Sequence, residues 1–522
     1  MNIGSEMQEI SSNNKRIAKN TLLLYFRMLV TMAVSLYTSR VVLNILGVED
    51  FGIYNVVGGI VAMFGFINGS MTSATQRYLT FELGQNNRAQ LTKVFSTSLS
   101  IHGIISFLII VLAETVGLWF LWNKMQIPAD RMNAAFWVFQ CSVAASVIMI
   151  MSVPYNAAII AHERMSAFAY ISIIEVSLKL LIVCFLRYFH TDKLILYAAL
   201  IVIVQFLIRL CYSWYCNRHF NETKYRWSWD KGLFKEMTGF ASWNMFGSLA
   251  AITFTQGLNL LLNMFFGPVV NAARGIAVQA QTAIGQFSSN FQTALNPQIT
   301  KSYATGDMEY MHGLIFRSAK FSFFLLLLLS LPVLIETKAI LTLWLKIVPD
   351  HTVVFLRIML CTTWVYAVSN PLITAASATG KIKLYQSVVG GLLLLILPIS
   401  YLCLRLGLPA YSVFIVHLVI EITAQFARLL MLKRMIKLSL REYFSKVVWC
   451  IFKVTAIALA VPQAVIYCHP QHGVWNLLMV CLVCTLSTSI SIYYFGLTSG
   501  EKTFISSKIS VILARLKPKT KD

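Results

Sequence analysis

The chain has 522 residues, of which 57% are hydrophobic and only 12% charged, with a mean hydropathy of +0.68. A soluble domain averages about 45–50% apolar and about 25% charged residues, so a soluble globular fold is excluded. The formal net charge of +22 does not indicate nucleic acid: no RNA- or DNA-binding signature or zinc spacing accompanies it, and most Lys and Arg sit in short segments between apolar runs, where the positive-inside rule and anionic headgroups account for them.

Apolar runs of about 20 residues predict an all-α, polytopic membrane protein with about fourteen spans. In chain order their cores are 21–46, 53–79, 94–121, 134–159, 167–189, 194–216, 238–266, 270–299, 314–336, 352–378, 384–406, 411–432, 447–468 and 474–497. The first run follows Lys15, Arg16 and Lys19 and continues too long for a signal-peptide core, so it reads as a retained start-transfer helix. Cations concentrate in alternate loops, with Arg88 and Lys93 in the second and Arg218, Lys224, Arg226, Lys231 and Lys235 in the sixth. That alternation predicts an even number of spans with both termini cytoplasmic. Beyond the last span, Phe504, Ile505, Ile509, Ile512 and Leu516 recur at helical spacing among Lys508, Arg515 and Lys517. They read as an amphipathic helix on the cytoplasmic leaflet, or as a disordered basic tail. The cysteines lie mostly within apolar runs and behave as small buried hydrophobes. No metal or other cofactor is expected.

The segment from Arg40 to Gln85 has a weaker copy 220 residues downstream, in which Leu46-Gly47 falls on Phe266-Gly267 and Ala74 on Ala294. Each copy reads as an apolar helix, a short turn led by Gly, and a helix rich in small and polar residues. Internal repeats of this kind build many transporters, with the substrate path between the halves. The predicted lobes are residues 1–220 (spans one to six) and 221–434 (spans seven to twelve), with residues 435–522 carrying the last two spans and the tail.

Polar residues in these spans define the candidate site. In the second span Asn55, Gly58, Ala62, Gly65, Gly69, Thr72 and Gln76 share a face, which suits either close helix packing or a lumen. The seventh carries Thr253, Gln256, Asn259 and Asn263; the eighth carries a stripe of Asn271, Arg274, Gln281, Ser288 and Gln292. Each unsatisfied polar group in hydrocarbon costs several kcal/mol, so such a stripe points to water or a polar ligand. Arg40 and Arg274 lie at similar depth on corresponding hairpins and are the candidate pair for an anionic group such as a phosphate, with snorkelling to the interface as the plain alternative. Glu175 and Lys179, four apart, read as an intrahelical ion pair or as lumen charges; Glu421, one turn after His417, reads as a packing contact or a coupling charge. Arg77 and Arg428 read as anchors near helix ends. No Walker loop, HExxH, GxSxG elbow or carboxylate pair is present, so an enzyme is not expected.

The run Leu46-Gly47-Val48-Glu49-Asp50-Phe51-Gly52-Ile53-Tyr54, with Ser39-Arg40 before it and Thr75-Gln76-Arg77-Tyr78 after it, resembles the first outer turn of the polysaccharide or O-antigen (Wzx-type) flippases. These belong to the multidrug/oligosaccharidyl-lipid/polysaccharide exporter (MOP, MATE-like) superfamily. The resemblance implies two six-helix bundles around a cationic cavity and alternating access. It also implies an oligosaccharide on undecaprenyl diphosphate as the substrate, moved to the periplasmic leaflet of the bacterial inner membrane. Membrane lipids, a polysaccharide polymerase and glycosyltransferases are its implied partners. The alternative is a cation-coupled drug antiporter; the absence of Asp and Glu from residues 21–46 and 238–266 argues against it.

Overall fold

The computed structural model describes residues 3–503 except 63–64, 124–126, 187, 190, 225–229, 267, 346–347 and 469–472. The side chains of Arg40, Asn55, Asn263 and Asn271 also lie outside the described residues, as does the expected amphipathic segment after residue 503. Every long element among the described residues is a helix: α1 (Ile3–Ala62), α2 (Gly65–Gly84), α3 (Arg88–Leu112), α4 (Met132–Ala161), α5 (Met165–Leu186), α6 (Lys193–His219), α7 (Lys231–Phe266), α8 (Pro268–Thr305), α9 (Met308–Ile335), α10 (Thr352–Ala378), α11 (Lys383–Leu394), α12 (Ile396–Arg405), α13 (Ser412–Met435), α14 (Trp449–Cys468) and α15 (Val474–Ser491). With no water in hydrocarbon to satisfy backbone groups, helices are the form such apolar runs must take.

Eleven helical segments among the described residues are long and apolar enough to cross a membrane. The described residues of the expected spans 21–46, 53–79 and 270–299 are helical too, within α1, α2 and α8, but these spans are not among those eleven. The turn expected between the cores 21–46 and 53–79 narrows to one residue: Gly47, at φ 81° and ψ 170°, is the sole non-helical position inside α1. Those angles lie in a region that is essentially glycine-only. The copy of this turn at Gly267 lies outside the described residues.

The chain forms two compact units: residues 1–253, 293–311 and 374–391 make the first, and residues 254–292, 312–373 and 392–522 the second. The core of the first is built on Leu91, Val94, Phe95, Tyr155, Ile159, Val183 and Tyr212, from α3 to α6. At one end of α4, Arg131 clamps Asp50 (Nε to Oδ1, 2.9 Å) and Asp192 (Nη1 to Oδ2, 2.8 Å). Asp192 also caps α6 by accepting from the amide of Leu194 at 3.0 Å. The other end of α4, about 45 Å away at 1.5 Å per residue, carries Glu163, whose side chain is 1% exposed. Glu163 accepts from Arg16 (2.8 Å), Lys301 (2.7 Å) and Gln298 (2.6 Å). Asn20 Nδ2 donates to its backbone carbonyl at 3.2 Å. Also in this unit, Arg77 stacks over Tyr78, Phe81 and Phe240 and donates to the carbonyl of Ala378 at 3.0 Å. Its guanidinium fills the space that a Cβ on Gly380 (φ 75°) would need, with Nη2 only 2.6 Å from that position. The second unit packs Phe323, Phe324, Leu327 and Leu331 of α9 against Val454 and Ala458 of α14 and Val480 of α15.

Candidate substrate site

Helices α7 and α8 meet in the second unit through Arg274. Its Nη1 donates to Asn259 Oδ1 at 3.2 Å and its Nη2 to the carbonyl of Thr255 at 2.8 Å. The guanidinium is thereby turned back across α7, while its Nε is buried and has no hydrogen-bond partner among the described residues. A buried, unsatisfied donor on a cation is costly and calls for an acceptor. His417 interacts electrostatically with both Arg274 and Glu421; its ring lies 4.8 Å from that of Phe254.

Glu421 takes a different partner from the one its spacing suggested. Arg428, two turns along α13, donates to Glu421 Oε1 at 2.7 Å and to Ser369 Oγ at 3.0 Å. Both side chains are almost fully buried, at 5% and 3% exposed. Gln425 extends the network from Ser369 (2.6 Å) to the hydroxyl of Tyr443 (3.3 Å). Arg428 is therefore a central member of this network in addition to lying near a helix end.

The amide stripe of α8 divides in two. Gln281 donates to the carbonyl of Met359 (3.1 Å) and to Thr363 Oγ1 (2.8 Å). Gln292, 3% exposed, donates to Ser322 Oγ and the carbonyl of Ala367. These amides staple α8 to α9 and α10. Gln256 on α7 and Gln279 and Gln286 on α8 stay exposed.

In the first unit, Lys179 pairs with Glu175 at 2.6 Å, and Gln205 donates to the same oxygen at 3.2 Å. Gln76 is half-buried on α2. Arg40, Asn55 and Asn271 have their backbones in α1 and α8 and their side chains outside the described residues. Sequence reasoning missed two further cations in the spans: Arg27 over the ring of Phe168 (4.5 Å) and Arg209 over that of Tyr155 (4.2 Å). Gln205, Arg209, Tyr212 and Cys216 fall at helical spacing on one face of α6, a signal that could have exposed Arg209.

A bundle of long apolar helices with charges held in its interior is the build of a membrane transporter, and solved structures share this fold. A multidrug resistance MATE family transporter of the MOP superfamily, in an outward-facing conformation, superposes with a TM-score of 0.71 at 12% identity, over 81% of this chain and 96% of its own. The Vibrio cholerae MATE transporter VcmN in its bent form gives 0.68 at 17%, over 82% and 98%. A MOP superfamily transporter from Pyrococcus furiosus, described as having a binding pocket of reversed polarity, gives 0.68 at 14%, over 81% and 96%. No curated protein sequence matches. The family model for "Polysaccharide biosynthesis protein" matches residues 17–303, more than half of the chain. The chain belongs to that family.

Proposed function

We propose that the chain is a flippase. It moves an undecaprenyl-diphosphate-linked oligosaccharide, the precursor of O-antigen, capsule or another surface polysaccharide, from the cytoplasmic to the periplasmic leaflet of the inner membrane. On this reading the lobes 1–220 and 221–434 alternate access, the spans 21–46, 53–79 and 270–299 cross the bilayer, and both termini are cytoplasmic. Arg274 supports the reading best: a half-buried cation at membrane depth with a donor left over suits a diphosphate. Arg40 is its proposed partner, Gln256, Asn259, Asn271, Asn55 and Gln76 are proposed sugar contacts, and Glu175, Lys179 and Glu421 are candidate coupling charges. Gln281 is retained as a contact that also holds α10. No catalytic step is assigned. Drug antiport is the weaker reading, because the matching family is one of polysaccharide biosynthesis and the likeness to drug transporters is one of fold.

The test is flipping of a labelled lipid-linked oligosaccharide in proteoliposomes. Wild type should translocate it; Arg274→Gln should lose translocation by at least tenfold with reconstitution unchanged. Dye movement under an ion gradient with the sugar lipid left in place would overturn the proposal.

A further inference from the structure

The first unit holds a polar cavity of about 670 Å³ at the Glu163 end of α4, within the size range of small-ligand sites. Four cations line it: Arg16, Lys19, Arg88 and Arg164. Lys19, Arg88 and Arg164 are exposed and form no ion pair among the described residues, Arg88 acting on Glu222 only at longer range. Of the acids on the wall, Glu222 is bonded to His162 and Glu163 to the cluster above, leaving Glu82 against three cations. Asn87, whose Oδ1 caps α3, and the N-terminus of that helix also face the cavity. We infer that this cavity binds a phosphate-bearing anion, and that the bound phosphate draws Arg16 away from Glu163.

The second half of the inference rests on an asymmetry in the Glu163 cluster. Arg16 is 48% exposed while Glu163 is 1% exposed, so the cation can turn toward the cavity and the carboxylate cannot follow. Glu163 retains Lys301 and Gln298 when Arg16 leaves, so it is not stranded as a lone buried charge. Guanidinium groups match phosphate oxygens in a two-pronged geometry, which gives the exchange a favourable end state. Binding would therefore loosen the start of α1 from the α4–α5 junction. This goes beyond the transport reading, since it requires only a phosphate group, from a lipid headgroup or from solution.

The experiment uses the full chain in phosphatidylcholine nanodiscs, titrated with sodium phosphate in one arm and doped with phosphatidic acid in the other. The combined variant Lys19→Gln, Arg88→Gln, Arg164→Gln should weaken binding at least tenfold. Glu163→Gln, which removes the carboxylate charge that holds Arg16, should tighten it several-fold, and Arg16→Gln should weaken it; the second variant decides the exchange if the first does not fold. A control with the same charge removed elsewhere (Lys433→Gln, Arg434→Gln, Arg441→Gln) should bind as wild type. Saturation by phosphatidic acid alone assigns a lipid source and saturation by sodium phosphate alone a soluble one. Binding in neither arm, or equal loss in the control, overturns the site. An Arg16→Gln variant that binds as wild type overturns the exchange.

Discussion

At the scale of single residues, the Glu421–Arg428 pair is the sharpest case of a contact the sequence does not announce. The eye goes to His417, one turn from Glu421, because i, i+4 neighbours face each other on a helix. The partner two turns away wins because its longer side chain also reaches Ser369, which chain order cannot reveal. Glu175 and Lys179, in contrast, were legible, since both members and their geometry belong to one helix. Removing one member of a buried pair leaves the other uncompensated, at a cost of about 3–5 kcal/mol. Arg428→Met should therefore lower the unfolding midpoint strongly, and Glu421→Leu with Arg428→Met should restore most of it. A double variant no more stable than the single one would contradict this. A second prediction concerns Glu222, outside the spans. Burial raises its carboxyl, but the His162 hydrogen bond, its own backbone and the Arg88 charge outweigh that and hold the pKa below 4.5. Its contribution is thus fully present above 4.5 and is lost as pH falls through the lower folded value. Wild type should lose its stability advantage over Glu222→Gln only in that acid window, as followed by thermal unfolding against pH.

Individual elements follow from apolar run length, and their ends from capping residues that can be read directly: Asn87 before α3, Asp192 before α6 and Asp307 before α9. The turn after Leu46 was harder to judge. Its glycine was recognisable, but the acidic residues after it looked like loop when they continue a helix. Asp50 is held there by Arg131, 81 residues away, a long-range partner that no local pattern encodes. Asp192→Ala removes a cap and an ion pair and should cost about 1–2 kcal/mol, measured by unfolding in mixed micelles. Gly47→Ala should cost on the order of 1–3 kcal/mol from backbone strain alone, since among the described residues nothing beyond the adjoining backbone lies within 4 Å of the added Cβ.

Across the whole molecule, helical class and membrane location were legible because each is written in composition and in the length of the apolar runs. The three expected spans that fall outside the apolar set carry much of the candidate site: Arg40, Asn55, Gln76, Arg274 and Gln281. Amides and charges that face a ligand lower hydropathy, so the same residues that suggest a function blur the count of spans. The two basic and acidic clusters at opposite ends of α4 give a topological prediction. On a background with native cysteines replaced, Asn221→Cys should react with an impermeant thiol reagent only from the cytoplasmic side, and Asp130→Cys only from the outside. Labelling of both from one side would refute the orientation.

The seating of Arg77 against Gly380 has an evolutionary reading. The glycine is fixed twice, by its left-handed backbone and by the guanidinium that occupies its missing side chain's place. The arginine is fixed by three aromatic rings and a carbonyl. Neither site can drift alone, so descendants of this sequence should keep both or exchange both in a single lineage, and the pair would serve as a marker for sorting true orthologues from lookalikes.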